Sequence, residues 1–136
     1  MKIYLDIDGV LVDYNCNPMP YLREFVDFVF EISNGDVYWL TTHSHDGSTD
    51  RPLNYLSQVV EQDILGKLKT VKPTKWDTLK TEGIDLSSDF LWFDDTIFNA
   101  EYERLEEVGK EHCLIKVENN LEELVTLLKE DLHQGD

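Results

Sequence analysis

The sequence predicts an α/β protein of three layers, α/β/α and Rossmann-like, around a parallel sheet of about five strands. Three observations carry this. Short apolar runs alternate with helical patterns along the chain. The runs at 37–40 and 90–93 are apolar throughout, as in strands covered on both faces. Gly, Asn and Pro punctuate the boundaries between segments. With 136 residues and 41% hydrophobic content the chain suits one domain, read as spanning 1–136.

The elements follow in order. Residues 2–7 are rich in β-formers and close at Gly9. After Pro18 and Pro20, Tyr21, Leu22, Phe25, Val26, Val29 and Ile32 recur at helical spacing, and Asn34-Gly35 ends that helix. Residues 37–40 form a strand, 42–50 a polar loop, and about 52–63 a helix. Residues 65–71 are read as a short third strand. Thr74 caps a helix running to Glu82, stopped by Gly83. A strand at 90–93, a helix at 97–108 and a strand at 113–117 come next. Asn119 and Asn120 offer caps to a last helix with its stripe on Leu121, Leu124, Val125, Leu128 and Leu132; 134–136 is expected to fray. The stretches from Asp8 to Thr41 and from Thr41 to Lys75 are too short for a separate cap domain.

Composition excludes several functions. Acidic residues number 28 against 12 basic ones, a formal charge of −16. That balance opposes long nucleic acids and anionic membranes, which are gripped by clustered Lys and Arg. No apolar stretch approaches a bilayer span, and the acids Asp6 and Asp8 near the start are foreign to a secretory signal. Cys16 and Cys113 form no CxxC pair and read as free thiols, so a cytoplasmic setting is expected.

In parallel α/β folds, sites lie beyond the carboxyl ends of the strands. There the chain reads Asp6-Ile7-Asp8-Gly9-Val10, then Leu40-Thr41-Thr42, then Phe93-Asp94-Asp95-Thr96. Taken singly, each has a bland reading: an Asp-Gly turn, a β-forming Thr, a solvated or capping Asp pair. Together they bring four carboxylates to one sheet edge, where like charges repel unless a cation intervenes. Mg²⁺ is the cation expected, a hard ion that takes oxygen ligands.

Asp6-Ile7-Asp8-Gly9-Val10-Leu11 resembles the first motif of the haloacid dehalogenase-like phosphohydrolase superfamily. Residues 37–41 are similar to its second motif, Lys72-Pro73 or Lys75 to its third, and Leu91-Trp92-Phe93-Asp94-Asp95 to the Asp-Asp form of its fourth. The resemblance implies a capless, Mg²⁺-dependent phosphatase. Asp6 would be the nucleophile that forms an aspartyl-phosphate. Asp8 would be the general acid and then base, its protonated form favoured by neighbouring carboxylates. Asp6, the Asp8 carbonyl and Asp95 would hold the ion, with Asp94 beside them or sharing the role. Thr41 would bond a phosphoryl oxygen. Lys75, favoured by its place in the first turn of a helix with Leu79 one turn later, or else Lys72, would neutralise charge. Gly9, Val10, Thr42 and His43 would meet the substrate.

An open site suits a bulky phosphorylated substrate, or closure by a partner chain. The residues 39–42 are also similar to domains attached to RNA-repair proteins, which makes a polynucleotide 3′-phosphatase one alternative and a non-catalytic binding module another. A signalling receiver domain fits poorly, because its adjacent acids stand at the first strand. The His43/His45 loop has no third metal ligand and reads as a solvated loop at the site mouth. Trp39, Trp76 and Trp92 read as core or site wall.

Overall fold

The computed structural model describes residues 1–134. The fraying expected at 134–136 thus falls, for 135 and 136, outside the described residues. Four parallel strands form one sheet in the order β2-β1-β3-β4, with β1 at Lys2–Leu5, β2 at Val37–Trp39, β3 at Phe90–Asp94 and β4 at Leu114–Lys116. Among the described residues there are five α-helices: α1 (Leu22–Ser33), α2 (Asp50–Leu56), α3 (Gln62–Leu68), α4 (Asn99–Glu107) and α5 (Leu121–Gln134). None is long and apolar enough to cross a membrane.

Side-chain alternation along the strands sorts the core into two clusters. Ile3 and Leu5 pack with Phe25 and Val29 of α1 and Val125 of α5. Tyr4 and Trp92 pack with Leu105 of α4 and Cys113. α1 ends as its sequence requires: Asn34 and Gly35 adopt φ of 53° and 81°, and the Gly35 N–H reaches the Phe30 carbonyl at 3.0 Å. The last helix buries Leu121 and Val125, with Leu124 and Leu128 half-buried against the core, but Leu132 is exposed. Both cysteines are free thiols, Cys16 exposed and Cys113 buried.

Three expectations need correction. The sheet has four strands among the described residues, not five. The run 65–71 supplies the end of α3 and then a single bridge from Lys72 to Tyr38. Ile64, Leu65 and Leu68 pack as a helical stripe, and so short an apolar run does not separate helix from buried strand. The helix expected at 52–63 is divided between α2 and α3, with Glu61 extended between them. The helix expected from Thr74 to Glu82 is absent, because its first residues pair with neighbours instead. The Thr74 hydroxyl donates to the Trp39 carbonyl at 2.6 Å, Lys75 bridges to Asp46, and the Trp76 N–H reaches the His45 carbonyl at 2.9 Å. Only a 3-10 turn remains, at Lys80–Gly83.

Strand order positions the site. From β1 the chain passes to β2 on one side and later to β3 on the other. The loops leaving β1 and β3 therefore part and open a crevice at their carboxyl ends.

Candidate active site

Asp6 follows β1 and Asp94 closes β3. Leu5 pairs with Phe93, and the Asp6 N–H continues the ladder to the Phe93 carbonyl at 3.1 Å. The register sets the two carboxylates side by side. Asp95 comes next on the chain, and one carboxylate oxygen each from Asp6, Asp94 and Asp95 lie within 4.8 Å of one another. The convergence of residues 6 and 95 expected from the sequence is thus present in the fold.

The cation that meets these acids is Lys80, on the 3-10 turn. Its Nζ lies 2.7 Å from Asp94 Oδ2 and 3.3 Å from Asp6 Oδ2, nearly out of solvent. Burial works against its charge, but Asp6 and Asp94 outweigh it and raise its pKa. Asp94 is 1% exposed. Burial first, and the charge of Asp6 second, push its carboxyl up to about 7 against the pull of Lys80. Its oxygens also accept the Trp92 Nε1–H at 3.2 Å and the Thr96 N–H at 3.1 Å.

Lys80 is itself held by Glu101, which is buried on α4. Glu101 Oε2 accepts the Lys80 backbone N–H at 2.8 Å, and Oε1 accepts the Phe98 N–H at 2.9 Å. Neither Lys75 nor Lys72 reaches the carboxylates. Lys75 is exposed and engaged through its backbone with Asp46. Lys72 pairs with Asp36 at 2.9 Å, beyond the amino end of β2. The sequence signal for Lys80 was present in general form, a lysine opening a helical turn; the turn was expected five residues too early. Glu101 also had a signal, an acid at the third helical position bonding the residue before the helix.

Asp8 is half-buried and held on both oxygens. His43 Nε2 lies 2.9 Å from Oδ2, and the Tyr55 hydroxyl donates to Oδ1 at 3.3 Å. The two rings stack with centroids 4.6 Å apart. Tyr55 was not expected at the site; it comes from α2, sixteen residues after the end of β2 at Trp39. Gly9 adopts φ of +82°, and a side chain there would overlap the Asp95 carboxylate. The Gly9 and Val10 N–H groups bond the carbonyls of Val12 (2.7 Å) and Ile7 (3.2 Å), and Val10 is fully buried. These bonds tighten the turn, and neither residue is among those that line the cavity over the carboxylates. Thr41 is likewise fully buried, its hydroxyl accepting the His43 N–H at 3.2 Å.

A cavity of about 220 Å³ lies over this cluster. Asp6, Asp8, Asp94, Asp95 and Lys80 line it, with Thr42 in the place expected of Thr41. Trp76 and Glu101 complete the wall, while Tyr14 and Phe98 stand at it as exposed rings. Trp39 and Trp92 are core. The Tyr14 hydroxyl donates to Asp95, and this bond raises the Tyr14 pKa to about 12. His45 sets its ring edge-on to Trp76 at 5.6 Å.

The donor set fits a divalent cation. Three carboxylates converge against one ammonium, a formal excess of two negative charges when all three are ionised, and all the donors are hard oxygens. Gly9 leaves Asp95 room to approach. No protein-family model, curated protein or solved structure matches the chain.

Proposed function

We propose that the protein is a phosphomonoester hydrolase working through an aspartyl-phosphate, a capless member of the haloacid dehalogenase-like superfamily with its three-layer α/β/α fold. One observation carries this reading: Asp6, Asp94 and Asp95 meet within 4.8 Å beside Lys80, with Asp8 on the same cavity wall. Asp6, Asp95 and the Asp8 carbonyl would hold Mg²⁺, with Asp94 between them and Lys80. Bound there, the ion supplies positive charge to the phosphoryl oxygens.

Asp6 attacks phosphorus with a carboxylate oxygen, and the bond from phosphorus to the ester oxygen breaks. Asp8 gives its proton to that oxygen, and the alcohol leaves. Asp8 then takes a proton from water; the water oxygen attacks phosphorus, the bond to Asp6 breaks, and inorganic phosphate departs. His43 and Tyr55 fix the Asp8 carboxyl for both transfers. Lys80 neutralises Asp6 and the phosphoryl group from a site that charge developing in the reaction does not have to rearrange. Thr42 places a hydroxyl on the cavity wall that can meet a phosphoryl oxygen.

The test is turnover of a phosphomonoester panel with Mg²⁺, scored as released phosphate. Wild type should turn over at least one ester, and Asp6→Asn should abolish the reaction. Turnover that survives in Asp6→Asn would show that Asp6 is not the nucleophile.

A further inference from the structure

Tyr14 and Phe98 bear on the part of the substrate that lies beyond its phosphoryl group. Among the described residues they are the two most exposed large apolar side chains, at 72% and 62%, and both line the cavity over the carboxylates. They come from different elements, Tyr14 from the loop after β1 and Phe98 from the residue preceding α4. Each is anchored. The Tyr14 hydroxyl donates to Asp95, and the Phe98 N–H donates to buried Glu101 at 2.9 Å. Two rings left in water beside a charged cleft, one held through its hydroxyl and the other on an anchored backbone, mark a contact surface.

Cavity size says what touches them. A pocket that engulfs a drug-sized ligand holds roughly 300–1,000 Å³, and this one holds about 220 Å³. A phosphoryl group and an ion fit inside; the rest of the ester must lie across the mouth, against the two rings. Aromatic faces favour flat partners by stacking or edge contact. The −16 charge sets a limit on the rest of the molecule, since a polyanion is repelled while a single phosphate is not strongly so.

We propose that the substrate is a small phosphomonoester whose leaving group carries a flat ring, a nucleobase or an aryl group, held against Tyr14 and Phe98. The proposal rests on reading the cavity as a phosphoryl site. It is tested with matched pairs of esters. A nucleoside 5′-monophosphate is compared with ribose 5-phosphate, and benzyl phosphate with cyclohexylmethyl phosphate, which has a similar leaving oxygen but a puckered ring. Both kcat/KM and calorimetric binding are measured in the presence of Mg²⁺.

The flat-ring member should be preferred about tenfold or more, the range of one stacked ring. That ratio should fall toward one in Tyr14→Ala and in Phe98→Ala, and persist in Tyr14→Phe, which keeps the ring. The pair with the larger ratio identifies the ring as nucleobase or aryl. Equal use of both members by wild type, or a preference unchanged in the alanine variants, overturns the proposal and leaves the hydrolase reading standing. Tighter binding of flat-ring esters without turnover, lost in the alanine variants, sustains the ring contact and removes the hydrolase reading. Neither binding nor turnover of any ester removes both.

Discussion

Lys80 is the residue on which the charge balance of the site depends. It stands between Asp6 and Asp94, and no other ammonium lies on the cavity wall among the described residues. Lys80→Ala should lower kcat by about 10²–10³, the effect of removing one preorganised donor, while Lys75→Ala should stay within about twofold as an exposed change. Phosphate release from the best ester of the panel checks both; a large loss in Lys75→Ala with Lys80→Ala near wild type would return the role to Lys75. The stability loss in Lys80→Ala should fall below the ~3–5 kcal/mol of a broken buried pair, because burial already raises the Asp94 pKa and a proton can take the place of the ammonium. A second charged group sits at the far end of the sheet, where Lys72, and after it Tyr38, hold the Asp36 carboxyl down to about 2. A depressed carboxyl stabilises the fold above its unfolded value and loses that contribution as pH falls through the folded one. Asp36→Asn should therefore cost stability at pH 7, by about 1 kcal/mol or less after solvent screening. The gap from wild type should close between pH ~4 and ~2. Urea titrations across that range measure it, and a gap that widens toward acid would contradict the pairing.

At the scale of elements, Glu101 ties α4 to the 3-10 turn and so fixes where Lys80 stands. Glu101→Ala strands the buried Lys80 N–H, worth about 1–3 kcal/mol when left unpaired, and the half-buried Phe98 N–H beside it. It should lower stability by about 2 kcal/mol or more and reduce kcat with less change in KM. Glu101→Gln keeps one acceptor oxygen and should recover part of both. A loss in Glu101→Ala no larger than a surface change would mean that the turn holds itself. This clamp also explains how much the sequence discloses. Asp6, Asp8 and Asp95 were legible because strand ends are marked by where apolar runs stop, and the parallel pattern says that those ends share an edge. Lys80 was not, because the helical spacing after Thr74 matches a helix that the chain does not form. Thr74 bonds Trp39, Lys75 bridges Asp46, and the turn is displaced to Lys80 by contacts distant in sequence. Thr41 and Thr42 show the same limit on a smaller scale: adjacent hydroxyls, one buried and one on the cavity, differ only by which way the backbone turns after β2. Tyr55 reaches Asp8 because α2 folds back over the loop, a packing result that no local pattern encodes.

For the whole molecule the excess of acids sets two responses to salt that can be separated. A formal charge of −16 repels itself, and monovalent salt should raise stability modestly by screening it. A divalent ion should do more, because Asp6, Asp94 and Asp95 converge against a single ammonium, and a bound cation favours the ionised form of all three. An ion that binds only the folded chain adds about 2.7 kcal/mol at a hundred times its dissociation constant. Thermal denaturation in MgCl₂ should therefore exceed that in NaCl of the same ionic strength by several degrees. In Asp95→Asn the excess should vanish while the response to NaCl remains. Among the described residues no other aspartates converge in this way, so Asp131→Asn on the exposed side of α5 should keep the MgCl₂ excess. If MgCl₂ and NaCl act alike on wild type, or if the excess persists in Asp95→Asn, the three carboxylates are a strained acidic cluster neutralised by Lys80 and protons alone, and the hydrolase reading loses the ion it requires.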